Sequence, residues 1–337
     1  MALPDAHQAD DRQSCSSTTP PTPPPPLSIN RLVALYPRER LLVHPLRWTD
    51  RQPALLDCRI HDHDEEAHGA GARESNVTTK TTEAASSEPG AYTRFLARRL
   101  SRSFDDEVLA DTVLNLSGHF GATPRLSTSI RAASLYFHQR SCASIRFCCL
   151  SVSVPGPDPE IISLACIDYH DTMRERRQHF KPPPNRHYTD WPGLWRAGLL
   201  SLHHTPKEPE KDPFLVALVI ALAQQERRYA AQPLPSDSSF TIRVLVAGAG
   251  RPRPFHLYVA HVQARFLDKL DFPSQEPAVD SGLDIDHWHI AAEPFQTLPH
   301  RLCRALRPGR YQETHVGNLG ESWARARRKQ KRSGTSD

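Results

Sequence analysis

The sequence predicts an α+β fold in which helices are interspersed with antiparallel hairpins in one compact region. Three observations carry this expectation. Apolar runs of strand length come in pairs, SIRFCCLSVSV with EIISLACIDY and TIRVLVAG with FHLYVAHV, each pair joined by a short connector rich in Pro and Gly. Helical patterns fall between the pairs rather than after every strand, which argues against a βαβ sheet. The block Asp212–Phe272 combines a helix that is apolar on every side with two apolar strands, enough to build a packed core.

Taken in order, residues 1–90 read as a mostly disordered, low-complexity segment. Residues 1–30 are rich in Ser, Thr, Pro and Asp, with Pro23–Pro26 extended as polyproline II. Residues 31–60, broken by Pro37 and Pro45, form an arm that docks on the core. Residues 61–90 return to a linker that begins HDHDEEAH. The globular region covers 91–310, with a subdivision near 181–211. In it, Ser103 or Asp105 caps a helix whose face is Val108, Leu109, Thr112, Val113 and Leu116, ended by Gly118 and Gly121. A second helix is expected over Ser129–Gln139, with Ile130, Ala133 and Phe137 on its inner face. The first strand pair follows.

Next come a short polar helix over Asp171–Phe180 and a proline-aromatic connector that ends in a short helix. Asp212-Pro213 places a cap before a proline at the first helical position. The helix it opens is apolar all round from Phe214 to Ala223 and is therefore expected to be buried. The second strand pair, a strand over LDIDHWHIAA and an amphipathic helix with Phe295, Leu298, Leu302 and Leu306 on one side complete the region. Residues 311–337 form a basic disordered tail. Two strand pairs, each preceded by helices, suggest an internal duplication, although the halves share no residue-level similarity.

Composition limits the function classes. Proline is 31 of 337 residues, well above the usual share of about 5%, and its clusters divide the chain into short elements. The formal net charge is +4, but it is unevenly placed. Residues 1–90 carry 9 basic and 13 acidic side chains, whereas 301–332 carry 10 basic and 2 acidic ones. Such asymmetry points to a tail that meets phosphate or an import receptor. The N-terminal decapeptide has neither a basic nor an apolar region of a secretory signal. No apolar run approaches the roughly 20 residues that cross a bilayer. Seven cysteines without a C-x-x-C read as reduced thiols, mostly small core residues. The expectation is a soluble protein of nucleus or cytoplasm, not secreted, with no membrane partner.

The phrases LNLSGHFGATPRLSTSIRAASLYF, DPFLVALVIALAQQ and LYVAHVQARFLDKLDFPS resemble one of the lineage-restricted protein families of filamentous ascomycete fungi. The resemblance spans about Ser103 to Leu306. It implies a fungal, intracellular, accessory protein and carries no catalytic motif, so it transfers no site residue.

Gly248-Ala249-Gly250 follows an apolar strand as a dinucleotide fingerprint would. The third glycine and the helix are missing, so it reads as a hairpin turn. A metal-dependent nuclease needs a (D/E)-x-K on a strand, and none falls on a predicted strand. Asp286-His287-Trp288-His289 puts His287 and His289 on one strand face at metal-ligand spacing, with Asp284 and Asp286 opposite. Asp168 and His170 form a similar pair at an earlier strand end. Asp168, His170, Asp286, His287 and His289 are thus the candidate metal ligands, set against a reading as ordinary surface or hydrogen-bonded groups. The tract HDHDEEAH reads as a solvated acidic linker. Cys148 and Cys149 face opposite ways on a strand and cannot pair with each other. Arg325, Arg327, Arg328, Lys329, Lys331 and Arg332 are the candidate contacts for nucleic acid or an import receptor.

The reading that follows is a non-enzymatic binding or interaction protein without a cofactor, acting through its basic tail or through protein partners. The alternative is a divergent metal-dependent, nuclease-like enzyme built on the His/Asp cluster.

Overall fold

The computed structural model describes residues 27–63, 129–154, 160–182, 191–230, 237–249, 253–277 and 281–294, with isolated positions between and after them. The expected helix at Ser103–Leu116 and the basic tail lie outside the described residues, as does most of the Phe295–Leu306 helix. Among the described elements are helices α1 (Ile29–Leu35), α2 (Arg51–Leu55), α3 (Tyr169–His179), α4 (Trp191–His203), α5 (Pro213–Tyr229) and α6 (Ala264–Asp271). The strands are β1 (Cys58–His63), β2 (Ser129–Phe137), β3 (Arg140–Val154), β4 (Glu160–Asp168), β5 (Ser239–Ala247), β6 (Phe255–Gln263) and β7 (Leu283–Ile290).

The seven strands form one mixed sheet of order β1-β7-β6-β5-β4-β3-β2, so the fold is α+β and both hairpins share a sheet. Strands β2-β3-β4 and β5-β6-β7 are two antiparallel meanders. They meet where β4 lies parallel to β5, and the chain crosses between them through α3, α4 and α5. Strand β1 adds parallel to β7 at one edge.

Side-chain alternation splits the sheet into two cores. On one face, Ile145, Phe147, Cys149, Val244, Val246, Tyr258 and Ile285 pack with α5, α6 and the N-terminal arm. On the other, Cys148, Leu150, Cys166, Leu245, Leu257 and Ile290 pack with Leu298 and Leu302, two helical residues near the C-terminal end of the described chain. The adjacent Cys148 and Cys149 serve opposite cores, as the strand period requires. Helix α5 is buried along its whole apolar run from Pro213 to Ala223. Its cap, Asp212, accepts a hydrogen bond from Phe214 N at 2.9 Å.

Two sequence expectations are corrected. Ser129–Gln139 is not a helix; residues 129–137 are strand β2 and His138-Gln139 is the turn. The inward residues are Ala133, Leu135 and Phe137, spaced by two. His138 and Gln139 have φ of 48° and 61°, the geometry of a tight two-residue hairpin, here formed without the glycine or asparagine that would advertise it. The second correction concerns the linker. The sequence reads His61–His63 as its start, yet they form the end of β1, in register with Asp286, His287 and Trp288. A strand at a sheet edge needs only backbone pairing, so its polar side chains hide it from a search for apolar runs.

Candidate functional site

The sequence-derived candidates sit at the sheet end where β1, β4, β5 and β7 finish and β6 begins. Asp168 caps α3, accepting from His170 N at 2.8 Å, and its other oxygen accepts from Arg253 Nη1 at 3.2 Å. Burial raises its pKa against the pull of that cap bond and of Arg253. His170 is exposed. Asp284 and Asp286 lie on the opposite face to His287, as expected, and bond His61 and His63 at 2.8 Å each. His287 and His289 do share a face, and His256 of β6 joins them. The five candidates are therefore divided between partners. Among the described residues no three His, Cys, Asp or Glu side chains group as a metal site.

What the sheet does assemble is a proton chain. Asp62 Oδ1 lies 2.7 Å from His287 Nδ1, and His287 Nε2 lies 2.9 Å from His256 Nδ1. Lys211 Nζ is 3.4 Å from the other oxygen of Asp62. Burial outweighs the attraction of Asp62 and keeps His287 below the ordinary histidine value, and burial beside His287 and His289 takes His256 down to about 3. Both rings are neutral at pH 7. A carboxylate only accepts, so His287 carries its proton on Nδ1; its Nε2 must then accept from His256 Nδ1–H. The chain ends in a lone pair on His256 Nε2, which lies beside Gly248, where an added Cβ would stand 2.7 Å away. No hydroxyl or thiol of a described residue is hydrogen-bonded to His256, so among the described residues the chain reaches no nucleophile. Asp62, His256 and Tyr258, which stacks on His287 at 4.7 Å, were missed from sequence. Only the histidine-aspartate density of HDHDEEAH signalled any of them.

A second site had no sequence signal. A cavity of about 420 Å³ opens between the N-terminal arm and α4, lined among others by Arg38, Arg40, Arg47, Arg196, His203 and His204, with Glu39 the one carboxylate among its described lining residues. Arg38, Arg40 and Arg196 form no ion pair with a described residue. Arg47 is fixed: its Nε donates to His179 Nε2 at 3.1 Å and its guanidinium lies 5.5 Å above the Phe180 ring. Phe180 stacks on His204 at 5.1 Å, and His44 on His179 at 4.6 Å. The buried His204 Nδ1 has no hydrogen-bond partner among the described residues.

Burial, with neighbouring positive charge adding to it, lowers His204 in the cavity lining and His44 and His179 beside Arg47. Burial, then His179 and Arg47, push His44 down to about 4. Burial and Arg47 lower His179, and burial and His203 lower His204. Four guanidiniums facing one carboxylate form a chemical environment that an anion relieves and a cation does not.

A buried ion pair lies beside the cavity. Arg176 and Asp212 are fully buried and make a two-pronged pair, at 2.8 and 2.7 Å, while Arg176 Nε donates to Leu46 O at 3.3 Å. Tyr169 OH donates to the same carboxylate at 3.0 Å. Burial would discharge Arg176, but Asp212 outweighs it and raises the arginine above its ordinary value. One ion pair thus ties α3, the arm and the start of α5 beside the cavity wall.

Compared with protein-family models, curated proteins and solved structures, the chain matches none. No described helix is long and apolar enough to cross a membrane.

Proposed function

We propose that the protein is a non-enzymatic binding protein for an anionic, phosphate-bearing ligand seated in the arginine-lined cavity. The observation that carries this is the four-to-one excess of guanidinium over carboxylate around about 420 Å³ of open space. That volume suits a small metabolite-sized ligand. Guanidinium forks match phosphate oxygens two at a time, and three of the four are not committed to another described charge. The basic run Arg325–Arg332 belongs to the same reading as a separate contact for nucleic acid phosphate or an import receptor.

The test is calorimetric titration of the full chain with inorganic pyrophosphate and with inositol hexakisphosphate, at low and high salt. Saturable one-to-one binding that is lost in Arg38→Ala/Arg40→Ala/Arg196→Ala is expected. Absence of binding, or binding that survives the triple substitution, would overturn the reading. Duplex DNA or RNA binding that disappears only when 321–337 is removed would assign nucleic acid to the tail.

A further inference from the structure

Helix α4 forms one wall of the cavity, and its three faces are chemically distinct. With about 100° between successive residues, Gly193, Ala197 and Ser201 form one narrow stripe. Ala197 and Ser201 are buried, and through this side the helix meets α3. Small side chains let the helix lie close to its support. Arg196, Leu200 and His203 form a second side, and these are the residues it gives to the cavity. The third side holds Trp191, Leu194, Trp195, Leu199 and Leu202, an arc spanning roughly 140° of the circumference.

That third side is open. Trp191 is 72% exposed, Trp195 74% and Leu202 71%. The opposite wall of the cavity repeats the pattern. The segment that supplies Arg38 and Arg40 also carries Tyr36 and Leu42, both exposed. Apolar side chains thus project from both walls of a cationic cavity.

We infer that this surface docks on an anionic membrane surface, with a phosphorylated lipid headgroup in the cavity and the Trp191–Leu202 side of α4 among the acyl-chain boundaries. The inference rests on the anion-binding reading of the cavity. Three features select this occupant. Exposed tryptophans flanked by leucines are the chemistry of a helix lying in the interfacial layer. Basic pockets beside such a helix take phosphorylated headgroups. A second copy of the chain docking symmetrically through α4 would bring one arginine-lined cavity towards another, a juxtaposition of like charges. The helix has 13 residues, too few to span a bilayer, so the contact is with the surface.

The experiment is co-sedimentation of the full chain with phosphatidylcholine vesicles, with and without phosphatidylinositol bisphosphate, beside titration with the soluble inositol phosphate headgroup. Wild-type protein is expected to bind the doped vesicles at least tenfold more tightly than the free headgroup. Trp191→Ser/Trp195→Ser should lose tenfold or more of vesicle binding while keeping headgroup binding, since both side chains lie outside the cavity. Arg38→Ala/Arg40→Ala/Arg196→Ala should lose both. Headgroup binding without vesicle binding would overturn the membrane inference and leave the cavity reading standing. Binding of neither would end both. A dimer in light scattering that dissociates in the tryptophan variant would assign the surface to a second copy instead.

Discussion

Helices α4 and α5 are built from similar material and meet opposite fates. Both carry a proline at their start and both are rich in Leu and other large apolar side chains. Helix α5 is buried on all sides from Pro213 to Ala223, between the sheet and the arm. Helix α4 buries Ala197 and Ser201 and leaves six large apolar side chains exposed. Apolar content alone therefore does not decide burial. The position of the small residues on the supporting side does: in α4 Gly193, Ala197 and Ser201 form that stripe, so the bulky side chains face outward. Stability resides in α5 and its anchors, and the docking proposed above would fall to α4.

The sharpest way to break that contrast is at the anchor. Asp212→Ala leaves Arg176 charged, buried and without its carboxylate, and removes the cap on α5. Removing one partner of a buried pair costs about 3–5 kcal/mol, measurable as a shift of the urea midpoint at unchanged slope. Next, Ile220→Ala in α5 should cost about 2–5 kcal/mol, because the helix is enclosed and the cavity cannot collapse. The matching substitution on α4, Leu202→Ser, should change stability by no more than about 0.5 kcal/mol. A loss at Leu202 comparable to that at Ile220 would show that α4 is part of the core after all.

A third prediction concerns pH. His44 has a folded value near 4, below the ordinary 6.5, with burial as the main cause. His256 is lowered further, to about 3. For a group depressed on folding, the unfolded chain binds the extra proton, so its contribution is complete above 6.5 and is lost as pH falls towards the folded value. The unliganded protein should lose stability between pH 6.5 and 4. Ligand binding should run the other way. A phosphate in the cavity raises His204, which lines it, so binding takes up protons and tightens as pH falls from neutrality. Calorimetry in two buffers of different ionisation enthalpy measures that uptake. The smallest expected effect on stability is from Arg38→Ala/Arg40→Ala/Arg196→Ala. These exposed side chains have no ion pair to a described residue, so the urea midpoint should hardly move while binding is lost.

The contrast also marks what was readable beforehand. Helix α5, with its Asp212-Pro213 start, and strands β3 to β7 declared themselves because their apolar period matches the side of the core they fill. Strand β2 did not: Ala133 and Phe137 fit a four-residue helical spacing and a two-residue strand spacing equally well. Only Leu135 discriminates, and the turn His138-Gln139 carries no turn residue. Strand β1 was hidden by its polar side chains. The helix in α4 was expected, but its outward face depends on where α3 lies. The arginine cavity draws Arg38–Gln52, Phe180 and Arg196–His204 from three stretches of chain, each unremarkable alone. The same holds for Asp62, His287 and His256, whose alignment exists only once β1 has joined the sheet.

The pairing of β1 with β7 has a consequence for synthesis. Asp62 and His287 touch across 225 residues of chain. On a ribosome, β1 emerges early and its partner emerges after nearly all of the sheet. An apolar strand held unpaired for so long would invite adhesion to other nascent chains. The sequence CRIHDH avoids this, because four of its six side chains are ionisable polar groups that water accommodates during the wait. The feature that hides β1 from a search for strands is the one that keeps it harmless until its seat is built.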